Sequence, residues 1–282
     1  MFQFFQLWRR AGKSGRVHSA LARGELQKSR RARQRFLRPV VEQLEARWLL
    51  APILVTTELD IVNPNDTFTS LREAVVQANG LGGHDTITFA SSLANQPVFL
   101  LSGQMTIMDA LTIQGLGADK TTVNGLGASR LFDITNTAGD VTFDGLTLTG
   151  GKTTADDERG GAIRSVSNGQ LTIQKSTISG NSTTGTGADG GGIYARHPLT
   201  VTNSTVSGNS TTGEVAQGGG IAAFGTLTVT NSTVSGNSTT GERAQGGGIV
   251  AIGSATITNS TISGNSMTGV ISYGGGIHAQ RP

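Results

Sequence analysis

The sequence predicts an all-β fold, a parallel β-helix (solenoid) with coils of about 28 residues, one short N-terminal capping helix and a disordered basic leader. Three observations predict it. The first is repetition. GGGIYARHPLTVTNSTVSGNSTTGEVAQ, GGGIAAFGTLTVTNSTVSGNSTTGERAQ and GGGIVAIGSATITNSTISGNSMTGVISY follow one another without a gap, and Ile193, Ile221, Ile249 and Ile277 recur at a strict 28-residue spacing. The second is alternation of apolar and polar residues within each copy, as in Leu227-Thr228-Val229, which is the period of a half-buried strand. The third is punctuation: Asn231-Ser232-Thr233, Ser235-Gly236-Asn237 and the glycine triplets mark bends between strands only three or four residues long.

The composition narrows the classes. Of 282 residues, 41 are glycine, 6 are proline and none is cysteine, and 36% are hydrophobic. Glycine without a collagen period, together with that apolar content, argues against both a collagen fibre and a wholly disordered chain. Disulfides, thiolate metal sites and cysteine nucleophiles are excluded. The net charge of +3 combines two unlike segments. Residues 1–50 carry 12 Lys/Arg against 3 Asp/Glu, a net of +9; residues 51–282 carry 10 against 16, a net of −6. No run is apolar enough to span a bilayer as a helix, so no transmembrane segment is expected.

Residues 1–50 read as a basic, disordered, export-associated leader. Phe2 to Trp8 is too short and too polar for the core of a secretory signal, and it precedes the charges. No nucleic-acid-binding module accompanies the basic residues, so no nucleic-acid partner is expected. Leu44-Glu45-Ala46-Arg47-Trp48-Leu49-Leu50 resembles the LEPR-XLL motif found near the start of large, repetitive exported bacterial proteins, with Ala46 departing from its usual residue. The resemblance implies export.

Residues 51–90 form the next segment. Ile53-Leu54-Val55 predicts a strand and Asn63-Pro64-Asn65-Asp66 a turn. Ser70-Leu71-Arg72-Glu73 is a capping box: the Ser70 hydroxyl accepts from the third helical amide while Glu73 reaches back. Leu71, Ala74, Val75 and Ala78 then share one helical face, and Asn79-Gly80 ends the helix. Arg72 and Glu73 are read as belonging to the cap rather than as a catalytic pair. The run TFTSLREAVVQANGLGGHDTITF resembles the CSLREA domain that opens many bacterial parallel β-helix proteins, with Thr69 where that signature has cysteine. It implies a helix over the first turn of a solenoid, where an uncovered end would expose apolar core and unpaired backbone.

Residues 91–282 are expected to be the β-helix itself. A single copy cannot bury its few apolar side chains; stacked copies can. Ile221 then lies on Ile193, Val229 on Val201 and Val234 on Val206, with parallel strands about 4.8 Å apart. Asn203, Asn231 and Asn259 are expected to stack as one amide ladder, and Asn181, Asn209, Asn237 and Asn265 as a second. Less regular copies at Leu171-Thr172-Ile173, Val141-Thr142-Phe143 and Leu111-Thr112-Ile113 extend the count to about seven coils from residue 85. Gly160-Gly161-Ala162-Ile163 with Ser179-Gly180-Asn181, and every later copy, resembles the polymorphic outer-membrane protein repeat over about residues 130–280. That resemblance implies a right-handed, pectin-lyase-like β-helix in a secreted or surface-displayed protein, linked to adhesion, and transfers no catalytic residue. The chain stops at Gly274–Pro282, one strand into a new coil. Either it belongs to a longer parent protein, the favoured expectation, or its open end stacks on a partner end to end.

Chemistry-bearing side chains are few. Polysaccharide lyases and hydrolases also use parallel β-helices, and fold alone does not decide function. The catalytic candidates are Asp133, Asp144, Asp156, Asp157, Glu158 and Arg159, with Asp140 and Arg130 nearby in sequence. Asp133 and Asp144 flank inward-facing apolar residues and should point outward; Asp156 to Arg159 should form a loop between coils. Glycosidic hydrolysis needs two opposed carboxylates at a set separation. Convergence of two carboxylates and Arg159 or Arg130 in one groove would favour an enzyme, and scatter would favour a solvated acidic loop or a weak Ca²⁺ site. No other cofactor or metal is expected: His18, His84, His197 and His278 lack ligand spacing, and Tyr194 and Tyr273 read as single exposed tyrosines. The functional expectation is an exported, structural or adhesive surface module without catalytic activity, binding a polysaccharide or another cell-surface component. The alternative is a lyase or hydrolase acting on an acidic or plant or algal polysaccharide.

Overall fold

The computed structural model describes residues 51–280. The basic leader, the LEPR-XLL-like stretch and His18 lie outside the described residues. Within them the strands form four parallel sheets of a solenoid, with eight, seven, seven and five strands, the five-stranded sheet beginning only at Lys152. One full coil shows why. Leu199–Thr202 lies in the first sheet, Thr205–Ser207 in the second, Ser210–Thr212 in the third and, after a longer loop, Ile221–Ala223 in the fourth. The chain then re-enters the first sheet one coil further on, at Leu227–Thr230.

Register follows the 28-residue period. Val201 pairs with Val229, Val206 with Val234 and Ile193 with Ile221, so each side chain sits over its own copy. Strand alternation sends Leu199, Val201, Val206, Ile221 and Ala223 into a core where each is no more than 1% exposed. The intervening Thr200, Thr202, Thr205 and Ser207 face outward. The earlier coils carry bulkier interiors, including Phe132 and Phe143, whose rings lie 4.8 Å apart. Burial of this continuous apolar column is what makes a coil stable that has no core of its own.

Corners need backbone that most residues avoid. Lys175, Asn203, Asn231 and Asn259 occupy one corner column with φ of 48–50°. Asparagine tolerates this left-handed region better than most side chains do. The next corner uses Gly180, Gly208, Gly236 and Gly264, all with positive φ.

The two asparagine columns behave differently. Asn181, Asn209, Asn237 and Asn265 turn inward, and the Nδ2 of each of the first three donates at 2.9 Å to the Oδ1 of the next. Each backbone N–H of Asn181, Asn209 and Asn237 donates to that same oxygen, and each Nδ2 also reaches a carbonyl of the coil before, such as Ile178 O. Asn203, Asn231 and Asn259 form no ladder: their side chains are exposed, and among the described residues no hydrogen bond joins them. The left-handed backbone that suits asparagine at this corner directs its amide into solvent and passes the inward position to the following residue. The ladder here is serine. The N–H groups of Leu146, Ser176, Ser204 and Ser232 donate to the Oγ of Ser176, Ser204, Ser232 and Ser260, each at 3.1 Å.

At the N-terminal end, helix α1 (Leu71–Gly80) covers the first coil with Leu71, Ala74, Val75 and Ala78 buried. Both halves of the capping box are present. Glu73 accepts from the N–H groups of Ser70 and Asn63; burial alone would raise its pKa, but these bonds more than offset that and hold it below the ordinary range. Arg72 forms a two-point pair with Asp60, at 2.6 and 3.0 Å, and donates to the carbonyls of Gly103 and Gln104. The segment 51–90 also contributes to the solenoid wall, because Ile53–Val55 and Asp85–Phe89 are the first two strands of the eight-stranded sheet. No helix among the described residues is long and apolar enough to cross a membrane.

Candidate functional site

Repetition places chemistry where the loops differ. The connection between the third and fourth sheets is the longest in each coil, and its sequence changes most from copy to copy. Aligned on the repeated isoleucines, the position four residues earlier is Arg159, Asp189, Gln217, Gln245 and Tyr273 in successive coils. Stacking therefore sets Arg159 beside Asp189 and Asp189 beside Gln217.

These loops wall a cleft of about 530 Å³ lined by Asp156, Asp157, Arg159, Thr186, Gly187, Asp189, Val215, Gln217 and Phe224. Tyr194 packs against two of the lining residues, Arg159 and Phe224. It is not an exposed tyrosine: it is 4% exposed, because the loop folds over the outward side of its strand and Arg159 covers the ring. The Arg159 guanidinium carbon lies 5.2 Å from the ring centroid, and Nη1 donates to the Tyr194 hydroxyl at 3.2 Å. Phe224 packs on the same ring at 5.3 Å between centroids. Such cation–π and aromatic contacts hold a guanidinium more firmly than a solvated ion pair does.

Arg159 Nε lies 3.3 Å from Asp189 Oδ2, close enough for an ion pair but too poorly aligned for a hydrogen bond. Asp189 is 4% exposed. Burial pushes its pKa up to about 7, against the opposing pull of Arg159 and of the Gln217 backbone N–H, while Asp157 adds to the rise. A carboxyl with this pKa holds or releases a proton near neutral pH. The Gln217 Oε1 atom is buried beside it without a donor.

The sequence candidates divide. Asp156, Asp157 and Arg159 line the cleft. Asp156 accepts from the Thr186 N–H at 2.8 Å, and Asp157 sits with φ of 58° some 3.8 Å from Arg159. Glu158 folds back on its own loop, accepting from the Ala155 N–H. Asp133 lies on the outer side of the fourth sheet and pairs with Arg164 at 2.7 Å; Asp144 faces outward from the first sheet, 3.9 Å from Lys175. Arg130 is buried and stays out of the cleft, donating to the carbonyls of Arg159 and Gly160 and to Gln104. Burial lowers its pKa. His84 bonds Thr112 on a separate face, and His278 packs near Tyr273. No three His, Asp or Glu side chains among the described residues converge to hold a metal ion.

Asp189 is absent from the sequence candidates. It lies in a run of glycines that reads as a plain turn, and its signal is visible only when the loops are aligned by period, where an acid follows directly on Arg159.

Comparison with known proteins gives one positive result. The family model described as "Right handed beta helix region" matches residues 121–280. No curated protein and no solved structure matches the chain.

Proposed function

Because the chain belongs to the right-handed β-helix family, we propose that it serves as an exported, surface-displayed repeat module with a structural and adhesive role and no catalytic activity. The observation that carries this reading is the hydroxyl lattice on its outer surface. Thr200, Thr228 and Thr256 stand in register on the first sheet beside Thr202, Thr230 and Thr258, and Thr205, Thr233 and Thr261 continue the pattern on the second. A rigid array of donors and acceptors repeating every ~4.8 Å suits many weak contacts with a polysaccharide or another cell-surface component better than it suits one reaction centre. Export is supported by the likeness of Leu44–Leu50 and of the repeats to exported proteins.

One observation favours a second reading, a polysaccharide lyase or hydrolase. Asp156, Asp157 and Asp189 share a cleft with Arg159, and a carboxyl that titrates near neutrality is the sort of group that serves as a general acid. Incubation with a panel of plant and algal polysaccharides separates the two. The adhesive reading predicts retention on the immobilised polymer with neither unsaturated products nor new reducing ends. Turnover that Asp189→Asn abolishes would establish the enzyme instead. Protease accessibility on intact cells tests display: protection until the cells are lysed contradicts it.

A further inference from the structure

The tripeptide Asn-Ser-Thr occurs six times, starting at Asn181, Asn203, Asn209, Asn231, Asn237 and Asn259, and the fold holds it in two opposite settings. In the first it is closed off. Asn181, Asn209 and Asn237 are no more than 1% exposed, with their amides tied into the inner ladder. The hydroxyls two positions on, those of Thr183, Thr211 and Thr239, are buried too. In the second setting both groups are open. Asn203, Asn231 and Asn259 present exposed amides at the corner between the first and second sheets, and among the described residues no hydrogen bond engages them. Thr205, Thr233 and Thr261 stand outward beside them, in register from coil to coil.

The bend itself does not call for this tripeptide. Lys175 holds the same corner one coil earlier with φ of 48°, and Gly145 the coil before that with φ of 66°. What is particular to the later coils is a carboxamide at the surface with a hydroxyl two residues on. Asn-x-Ser/Thr, with x other than proline, is the acceptor signature of N-glycosylation, a modification confined to surfaces by the bulk of the sugar.

We propose that Asn203, Asn231 and Asn259 are glycosylation sites, each carrying a single sugar on Nδ2, transferred from a nucleoside diphosphate sugar by a glycosyltransferase that reads the neighbouring threonine. Nδ2 forms a bond to C1 of the sugar, and the bond from C1 to the diphosphate oxygen breaks. The diphosphate leaves with that electron pair, and one amide proton passes to a base of the transferase. The fold loses nothing, because the outer amides hold no partner. At Asn209 both Nδ2 hydrogens are already spent, on Asn237 Oδ1 and Ile178 O, and a sugar would have to enter a filled core. Neighbouring acceptors lie about 4.8 Å apart, room for one ring stacked on the next but not for branched chains.

The test is mass spectrometry of the full chain purified from the cells that make it. Cleavage after Arg196 and Arg243 releases residues 197–243, which hold both settings in one peptide, and electron-transfer fragmentation assigns each sugar to its residue. The proposal predicts single sugars on Asn203 and Asn231, another on Asn259 in the following peptide, and none on Asn209 or Asn237. Thr205→Ala, on the outer side of its strand, should remove the sugar from Asn203 alone, and Thr205→Ser should keep it; circular dichroism matching the parent shows that both variants fold. Bare amides at all three positions, a sugar on Asn209 or Asn237, sugars on hydroxyls in place of the amides, branched chains on adjacent asparagines, or a sugar on Asn203 that survives Thr205→Ala would overturn it. Adhesion is read separately, by retention on polysaccharide, and does not depend on these results.

Discussion

At the scale of single residues, one letter does two jobs in this chain. Asn237 and Asn231 lie six positions apart in the same copy, yet the first is fully buried and the second exposed. Asn237 Oδ1 accepts both the Nδ2 and the backbone N–H of Asn209, and its own Nδ2 satisfies Val206 O. Asn237→Ala leaves buried donors and an acceptor unpaired at about 1–3 kcal/mol each, so the unfolding midpoint should fall sharply. Asn231 supplies only a tolerated φ of 50°, so Asn231→Gly should be neutral or slightly stabilising in the same denaturation experiment. Asp189 gives a pH-dependent case. Its pKa rises from 3.8 to about 7 on folding, so between these values the folded state binds more protons than the unfolded one. Stability is therefore lost as pH rises from about 4 to 7, by at most about 4 kcal/mol, and the loss is complete above that window. Asp189→Asn, uncharged throughout, should melt at the same temperature as the parent near pH 4 and at a higher one at pH 8.

Elements in this molecule are set by what the backbone tolerates where coils touch. Gly219, inside a glycine triplet, and Gly208, between Ser207 and Asn209, both lie at bends between strands. A Cβ at Gly219 would overlap the carbonyl oxygens of Ser238 and Gly247, whereas one at Gly208 meets nothing within 4 Å. Gly208→Ala should cost only the left-handed backbone penalty of about 1–2 kcal/mol. Gly219→Ala should force neighbouring coils apart, seen as loss of cooperative melting or of soluble protein. The elements themselves are legible in the residues. Ser70 and Glu73 mark the helix start, strand alternation assigns the inward side chains, and the period places the Asn209 column. The first corner is not legible, because Asn-Ser-Thr does not say which of its residues turns inward; the φ of Asn203 decides it, leaving Ser204 in the ladder.

Over the whole molecule, the regularity that makes the fold readable conceals the site. Identical copies announce stacking, but a cleft arises from side chains one coil apart, such as Arg159 and Asp189, that no local motif joins. Tyr194 is hidden for a related reason: strand alternation sends it outward, and only the three-dimensional path of the loop buries it. The central claim is that a shift of one copy along the chain equals a step of one strand spacing along the axis. The chain has no cysteine, which permits a direct measurement. Thr200 pairs with Thr228, and Thr228 with Thr256, on the outer side of the first sheet. Carrying Thr200→Cys and Thr228→Cys together places two cysteine α-carbons about 4.8 Å apart, within disulfide reach, whereas Thr200→Cys with Thr256→Cys sets them about 10 Å apart. Mild oxidation followed by peptide mapping should find the bond in the first double variant and not in the second. Equal cross-linking in both, or none in the first, would contradict the stacked register.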